Sequence, residues 1–136
     1  MTHQLNFIYN DSDWIAPAEY PHLSKATEIA IDLETKDPNI KTKGPGWATF
    51  DGHIVGFAVA ALGQQWYFPI GHDAGGNMDI GITTAWMQNI LKLPATKIFH
   101  NASYDVGWLL VNGFEIKGKI VDTMIAAALI NENRFS

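Results

Sequence analysis

Hydrophobic residues fall along this chain in short runs separated by glycine, proline and asparagine, and the spacing within each run predicts an element. Leu5-Asn6-Phe7-Ile8-Tyr9 alternates as a short strand, ended by the turn-forming Asn10-Asp11-Ser12-Asp13. Between Trp14 and Leu23, Pro17 and Pro21 leave room for at most a short, interrupted helix. Glu28-Ile29-Ala30-Ile31-Asp32-Leu33, rich in β-branched residues, predicts a buried strand. Asp37-Pro38 then starts a long loop through Lys41, Lys43, Gly44, Pro45 and Gly46. Residues 54–62 and 65–70 predict two strands of a hairpin around Gly63, and 71–81 is a glycine-rich loop. Trp86, Ile90 and Leu93 carry helical spacing over 83–93, with Pro94 as the stop. A four-residue strand at 97–100 precedes a helix over 102–111, which Asn112-Gly113 ends. Asp122 opens an apolar helix running through Ile130.

Strand, hairpin, then helix–strand–helix describes a mixed sheet with helices packed on it. The early strands are joined by tight turns and so lie antiparallel. The 97–100 strand follows a helical crossover and can lie parallel to the strand of Ile29.

Composition narrows the class. The chain has 136 residues, 47% of them hydrophobic and 17% charged, enough for one domain with a core. No apolar run reaches the ~18 residues of a membrane span, and Met1-Thr2-His3-Gln4 begins no signal-like stretch. With no cysteine, disulfides, thiolate zinc sites and cysteine nucleophiles are excluded together, which fits a cytoplasmic setting. The net charge of −5 argues against a nonspecific nucleic-acid coat protein.

The candidate chemistry lies in carboxylates. Asp32 and Glu34 are two apart on a strand, so both project from one face at its C-terminal end. Two such groups repel unless they share a cation, and all-oxygen ligands suit Mg²⁺ or Mn²⁺; alternatively both are simply solvated acids. Asp105 lies in the first turn of the helix after the 97–100 strand. If that strand is parallel to and beside the Ile29 strand, Asp105 points toward Asp32 and Glu34 at the edge where α/β sheets gather ligands. Its alternative role is that of a helix N-terminal acid, favoured by ~0.3–1 kcal/mol.

Ala30-Ile31-Asp32-Leu33-Glu34-Thr35 resembles the first motif of the proofreading 3′–5′ exonuclease domain of family A DNA polymerases, in its phage-like form. His100-Asn101-Ala102-Ser103-Tyr104-Asp105 resembles the second, and Val121-Asp122-Thr123-Met124 the segment that follows it. The resemblance implies a ribonuclease-H-like α/β fold, a mixed sheet flanked by helices (the DnaQ-like 3′–5′ exonuclease type). It implies two-metal hydrolysis of the terminal phosphodiester of single-stranded DNA. Asp32 would bridge two Mg²⁺ or Mn²⁺ ions, Glu34 would hold the ion that activates water, and Asp105 would support the second. The Thr35 backbone would meet the 3′-terminal nucleotide. Asn101 and Tyr104 would line the single-strand path, their alternatives being a helix N-cap and core packing. The implied partners are the 3′ end of single-stranded DNA and a polymerase domain in a parent protein, inside a bacterial or phage-infected cell.

In the family a third motif adds an Asp four residues after a Tyr or His, and nothing after Asp122 matches it. Residues 1–136 therefore read as a single domain incomplete at its C-terminus, hydrolysing weakly or not at all. Asp122 reads as an N-cap, and the uncovered apolar helix after it as a surface for homodimer formation. The alternatives are a stand-alone exonuclease of the ribonuclease D type and a silent module binding a DNA end or a partner. The glycine-rich loop at 71–77 has no P-loop signature, the five histidines show no zinc spacing, and no serine sits in a nucleophile elbow. Lys36, Lys41 and Lys43 cluster after Glu34, as a solvated loop or as phosphate contacts.

Overall fold

The computed structural model describes residues 14–130; the expected strand at 5–9 lies outside them. Five strands form one sheet: β1 (Glu28–Lys36), β2 (His53–Ala61), β3 (Gln64–Pro69), β4 (Thr96–Phe99) and β5 (Ile120–Asp122), in the order β3-β2-β1-β4-β5. Five helices join them: α1 (Ile40–Lys43), α2 (Gly46–Thr49), α3 (Ile80–Leu91), α4 (Ala102–Val111) and α5 (Thr123–Ile130). The β1, β2 and β3 strands pair antiparallel, whereas β4 lies parallel to both β1 and β5. The expected α/β mixed sheet is therefore present, with β1 at its centre.

Alternation along β1 divides the sheet into two faces. Ile29, Ile31 and Leu33 are buried, and Phe57 and Phe68 across the strands join them. Met87, Ile90 and Leu91 of α3 and Trp108 and Leu109 of α4 belong to the same core. The opposite face carries Ala30, Asp32 and Glu34 of β1 beside Ala58 and Ala60 of β2, none of them fully buried. A shallow groove of about 700 Å³ on this face is lined by Ala30, Ala60, Gln65 and Ile98, toward the N-terminal end of β1 and away from the carboxylates.

Local chemistry explains the boundaries. Leu62 and Gly63 both take positive φ in the two-residue turn closing the β2–β3 hairpin, the twist-matched geometry for such loops. Helix α3 starts at Ile80 rather than Thr83 because Asp79 caps it, its side chain accepting from the Ile82 amide at 2.8 Å. Residues 14–25 contain no helix, the two prolines having broken the segment altogether. The long loop contains two single-turn helices, α1 and α2. The strand β5 is also absent from the periodicity, being only three residues long.

Asp122 is the N-cap expected from sequence, with an amide bond from Met124 at 2.9 Å. It also accepts from the amides of Asn101 and Ala102, 3.0 and 2.9 Å away, and so serves the start of α4 as well. Burial tends to raise its carboxyl, but these amides outweigh that and hold it below the ordinary carboxylate range. Asp122→Ala, orphaning three amides at two helix starts, is expected to destabilise the chain by about 1–2 kcal/mol. A shift in urea midpoint checks this; no shift would mean that water replaces the carboxylate at no cost.

Candidate active site

Strands β1 and β4 pair only over Glu28–Ala30 against Thr96–Ile98. Beyond Ala30, β1 runs on toward Lys36 while the chain after β4 turns into α4. That divergence leaves β1 amides free to meet the first turn of the helix, and the backbone of Leu33 hydrogen-bonds the Asp105 carboxylate. Asp32 and Glu34 lie on the opposite side of β1 from Leu33's side chain, paired across to Ala58 and Gly56. The register slips between Glu34 and Thr35, where β2 carries Val55 as an extra residue. Such a bulge at a strand end re-aims the side chains that follow it.

Glu34 and Asp105 both sense the charge of Asp32. Asp105 is 4% exposed, and its carboxyl is pushed up to about 7, by burial first and then by the charge of Asp32. Glu34 is likewise raised to about 7 by burial and by Asp32. Asp32 is the most open of the three; desolvation still raises its carboxyl, with the nearby His100 pulling the other way. One oxygen of Asp105, Oδ2, is buried without any hydrogen-bond partner. Among the described residues no three His, Asp or Glu side chains stand close enough to hold one ion as they are. The donor chemistry nonetheless fits a hard divalent cation: all-oxygen ligands, crowded negative charge and an orphaned carboxylate oxygen.

The remaining predicted residues take distinct places. Tyr104 donates its hydroxyl to Asp37 Oδ2 at 2.7 Å and accepts from the Thr35 hydroxyl at 2.9 Å. Its half-buried ring stands edge-on to Trp108, the centroids 6.4 Å apart. Tyr104 thus ties Thr35 and the start of the long loop to α4. Asn101 occupies the N-cap position of α4 in the left-handed region, φ 65°, but its side chain makes no capping bond because Asp122 serves those amides. Its Oδ1 accepts only from Ser103, at 3.3 Å.

Sequence reasoning missed Asp37, Tyr67 and His100. The Tyr67 ring lies over Gly56, where a Cβ would meet the phenol oxygen at 1.9 Å, and Gly56 is Glu34's cross-strand neighbour. Burial, then the charges of Glu34 and Asp32, hold that phenol far above its ordinary value, and it is hydrogen-bonded to His72 Nε2 at 2.5 Å. Tyr67 therefore walls the site beside Glu34. Its only signal in the sequence is a glycine opposite an acid, which needs the register to be read.

The family described as 3′-5′ exonuclease matches residues 19–136, the span that carries every one of these carboxylates. The chain belongs to the 3′–5′ exonuclease domains of family A DNA polymerases. A DNA-directed DNA polymerase of Pseudomonas phage M6 is 32% identical over 116 residues, covering 82% of this chain and 18% of the relative. A DNA polymerase I of Chloroflexus aurantiacus is 31% identical over 83 residues, 60% of this chain and 9% of the relative. The chain thus spans less than a fifth of either polymerase. The exonuclease fold is shared with the catalytic core of RRP6 from Trypanosoma brucei, at a TM-score of 0.54 and 24% identity, covering 76% of this chain and 25% of that one. Brucella melitensis NrnC has a TM-score of 0.53 and 22% identity, over 81% and 48% of the two chains. Among the described residues no helix is long and apolar enough to cross a membrane.

Proposed function

We propose that Asp32, Glu34 and Asp105 form the catalytic cluster of a proofreading exonuclease, which removes nucleotides from the 3′ end of single-stranded DNA. The observation that carries the reading is that Asp32 acts on both Glu34 and Asp105, which come from two chain segments at the C-terminal end of β1 and are held near pKa 7 by burial and by the charge of Asp32. Uncompensated negative charge at that density asks for a cation. Asp32, central to both repulsions, would be shared by two Mg²⁺ or Mn²⁺ ions, with Glu34 holding one and Asp105 the other. Bound divalent ions would neutralise the scissile phosphate and make hydroxide available near neutral pH. The cluster would close around them from the more open arrangement of the free chain.

The chain's own groups supply position. The Thr35 backbone, fixed through its side chain to Tyr104, would receive the terminal nucleotide. The side-chain carboxamide of Asn101, which makes no capping bond, would reach the strand. Water attacks the terminal phosphorus, the bond to the 3′ oxygen of the preceding nucleotide breaks, and a nucleoside monophosphate leaves. A polymerase domain in the parent protein would deliver mispaired ends. No Tyr or His stands four residues before an Asp beyond Asp105, so hydrolysis by residues 1–136 alone is expected to be slow.

A Mn²⁺-dependent assay on 5′-labelled single-stranded DNA tests the reading. Stepwise shortening should occur with the original chain and stop with Asp32→Ala. Equal degradation by the Asp32→Ala protein would mean that the cluster is misassigned.

A further inference from the structure

The loop between β1 and β2 is built more firmly than a connection requires. Its base is closed three times. Gly52, at φ 79°, packs where a Cβ would strike the Lys36 carbonyl. Asn39 donates to Asp51 at 2.5 Å, and Asp37 accepts from the Gly46 amide at 2.9 Å. Trp47 lies on Gly107 of α4, where any Cβ would meet the indole at 2.4 Å. Through Asp37 the loop also holds Tyr104, one residue from Asp105. The segment is thus a rigid projection fixed beside the carboxylate cluster.

What the projection displays is unusual for an anchored turn. Phe50 is 90% exposed and sits in the left-handed region, φ 57°, where glycine is the favoured residue at a helix end. A bulky side chain held in that region carries strain, and in an exposed position it gains no core contact in return. Lys41 and Lys43, both exposed, end α1 in the same projection, and among the described residues neither is in an ion pair. Lys36, nearer the site, is already neutralised by Asp73 at 2.9 Å. In a chain of net charge −5, two uncompensated lysines with a presented aromatic ring complement a phosphate backbone and its bases.

The geometry points to this loop as the track for the single-stranded DNA entering the site: Phe50 stacks on a base upstream of the 3′ terminus, and Lys41 and Lys43 meet backbone phosphates. The assignment rests on the exonuclease reading for the direction of the strand, but its binding signature can be read independently of hydrolysis. A ring on a base face tolerates any sequence, as a strand that must pass regardless of its bases requires.

Fluorescence anisotropy of a 5′-labelled oligothymidylate, measured with the full chain in EDTA so that nothing is hydrolysed, tests it. Phe50→Gly suits the backbone better and deletes the ring. It is expected to keep or raise the urea midpoint while weakening binding about 5- to 100-fold. Phe50→Tyr should bind as the original does. Lys41→Ala with Lys43→Ala should reduce the slope of log K against log salt by about 1.4, the value for two phosphates of a single strand. Original affinity in Phe50→Gly, or an unchanged salt slope in the double variant, overturns the proposal. Strand shortening in Mn²⁺ separates the two readings. Asp32→Ala that shortens DNA normally defeats the cluster, whereas loop variants that lose binding while Asp32→Ala retains it support the track.

Discussion

Asp105→Asn is expected to make the metal-free chain more stable at pH 8 and to leave it nearly unchanged at pH 5. The sign follows from linkage. A carboxyl raised from 3.8 to about 7 in the folded state holds its proton where the unfolded chain has lost it. Folding therefore carries no penalty below pH 4. The penalty grows between pH 4 and 7 and stays constant above, at about 4 kcal/mol. Asparagine removes the charge and with it most of that penalty. It leaves its own amide group where Oδ2 now lacks a partner, at a cost of about 1 kcal/mol. The balance favours the variant by about 3 kcal/mol at pH 8 and nearly cancels at pH 5, where the penalty is only about 1.5 kcal/mol. Urea midpoints in EDTA at the two pH values measure both. Equal destabilisation at both would show that the carboxyl titrates normally and that no charge is stored there. Added Mg²⁺ should raise the midpoint of the original chain at pH 8 and leave that of Asp105→Asn nearly unmoved, since the ion repays repulsion that the variant no longer has. A substitution that stabilises the chain while removing a proposed metal ligand is the signature of a site whose geometry is held against its own electrostatics.

Much of this arrangement is legible in the sequence. The two-residue spacing of Asp32 and Glu34 gives a shared face on any strand. A helix between two strands gives parallel neighbours, so Asp105 could be placed near them from chain order alone. What periodicity could not supply was whatever depends on pairing across strands. Tyr67 lies beside Glu34 only because β2 and β3 register as they do and Gly56 leaves the space. Asp122 was readable as a local cap, but its reach to the amides of α4 needed the parallel placement of β5, a strand too short to show a period. Tyr104 was ambiguous between packing and substrate because an aromatic ring satisfies both patterns. Its hydroxyl bonds to Thr35 and Asp37 add a third role, that of fixing the loop to the helix.

Lys97 is the residue that pattern would least place where it stands. It occupies the core face of β4 with no exposed surface, between positions that should be apolar. Burial pushes its ammonium downward from the ordinary lysine value, and no carboxylate partners it among the described residues. Instead it donates to the carbonyls of Leu93, Ala95 and Lys117, the last two at 2.9 and 2.6 Å. Those oxygens belong to the end of α3, the turn before β4 and the segment leading into β5. Lys97→Met preserves most of the volume, so its effect isolates the head group. Three carbonyls losing their donor cost about 1–3 kcal/mol each where water cannot reach them. Against that, the variant recovers the several kcal/mol spent desolvating an ammonium. The first term wins by a margin of about 2 kcal/mol, because the three bonds are charge-assisted and cannot be re-formed by local shifts. Lys97→Ala adds a cavity and should lose about 4 kcal/mol in all, a large share of the stability of a chain this size. Denaturant melts of both variants decide it. A Lys97→Met protein as stable as the original would mean that desolvation cancels the bonds entirely. The loss should also reach the proposed carboxylate site. Freeing residues 117–119 loosens β5, and with it the Asp122 carboxylate that fixes the start of α4 and so the position of Asp105. Metal affinity should therefore fall in Lys97→Met even though the residue lies on the opposite face of the sheet.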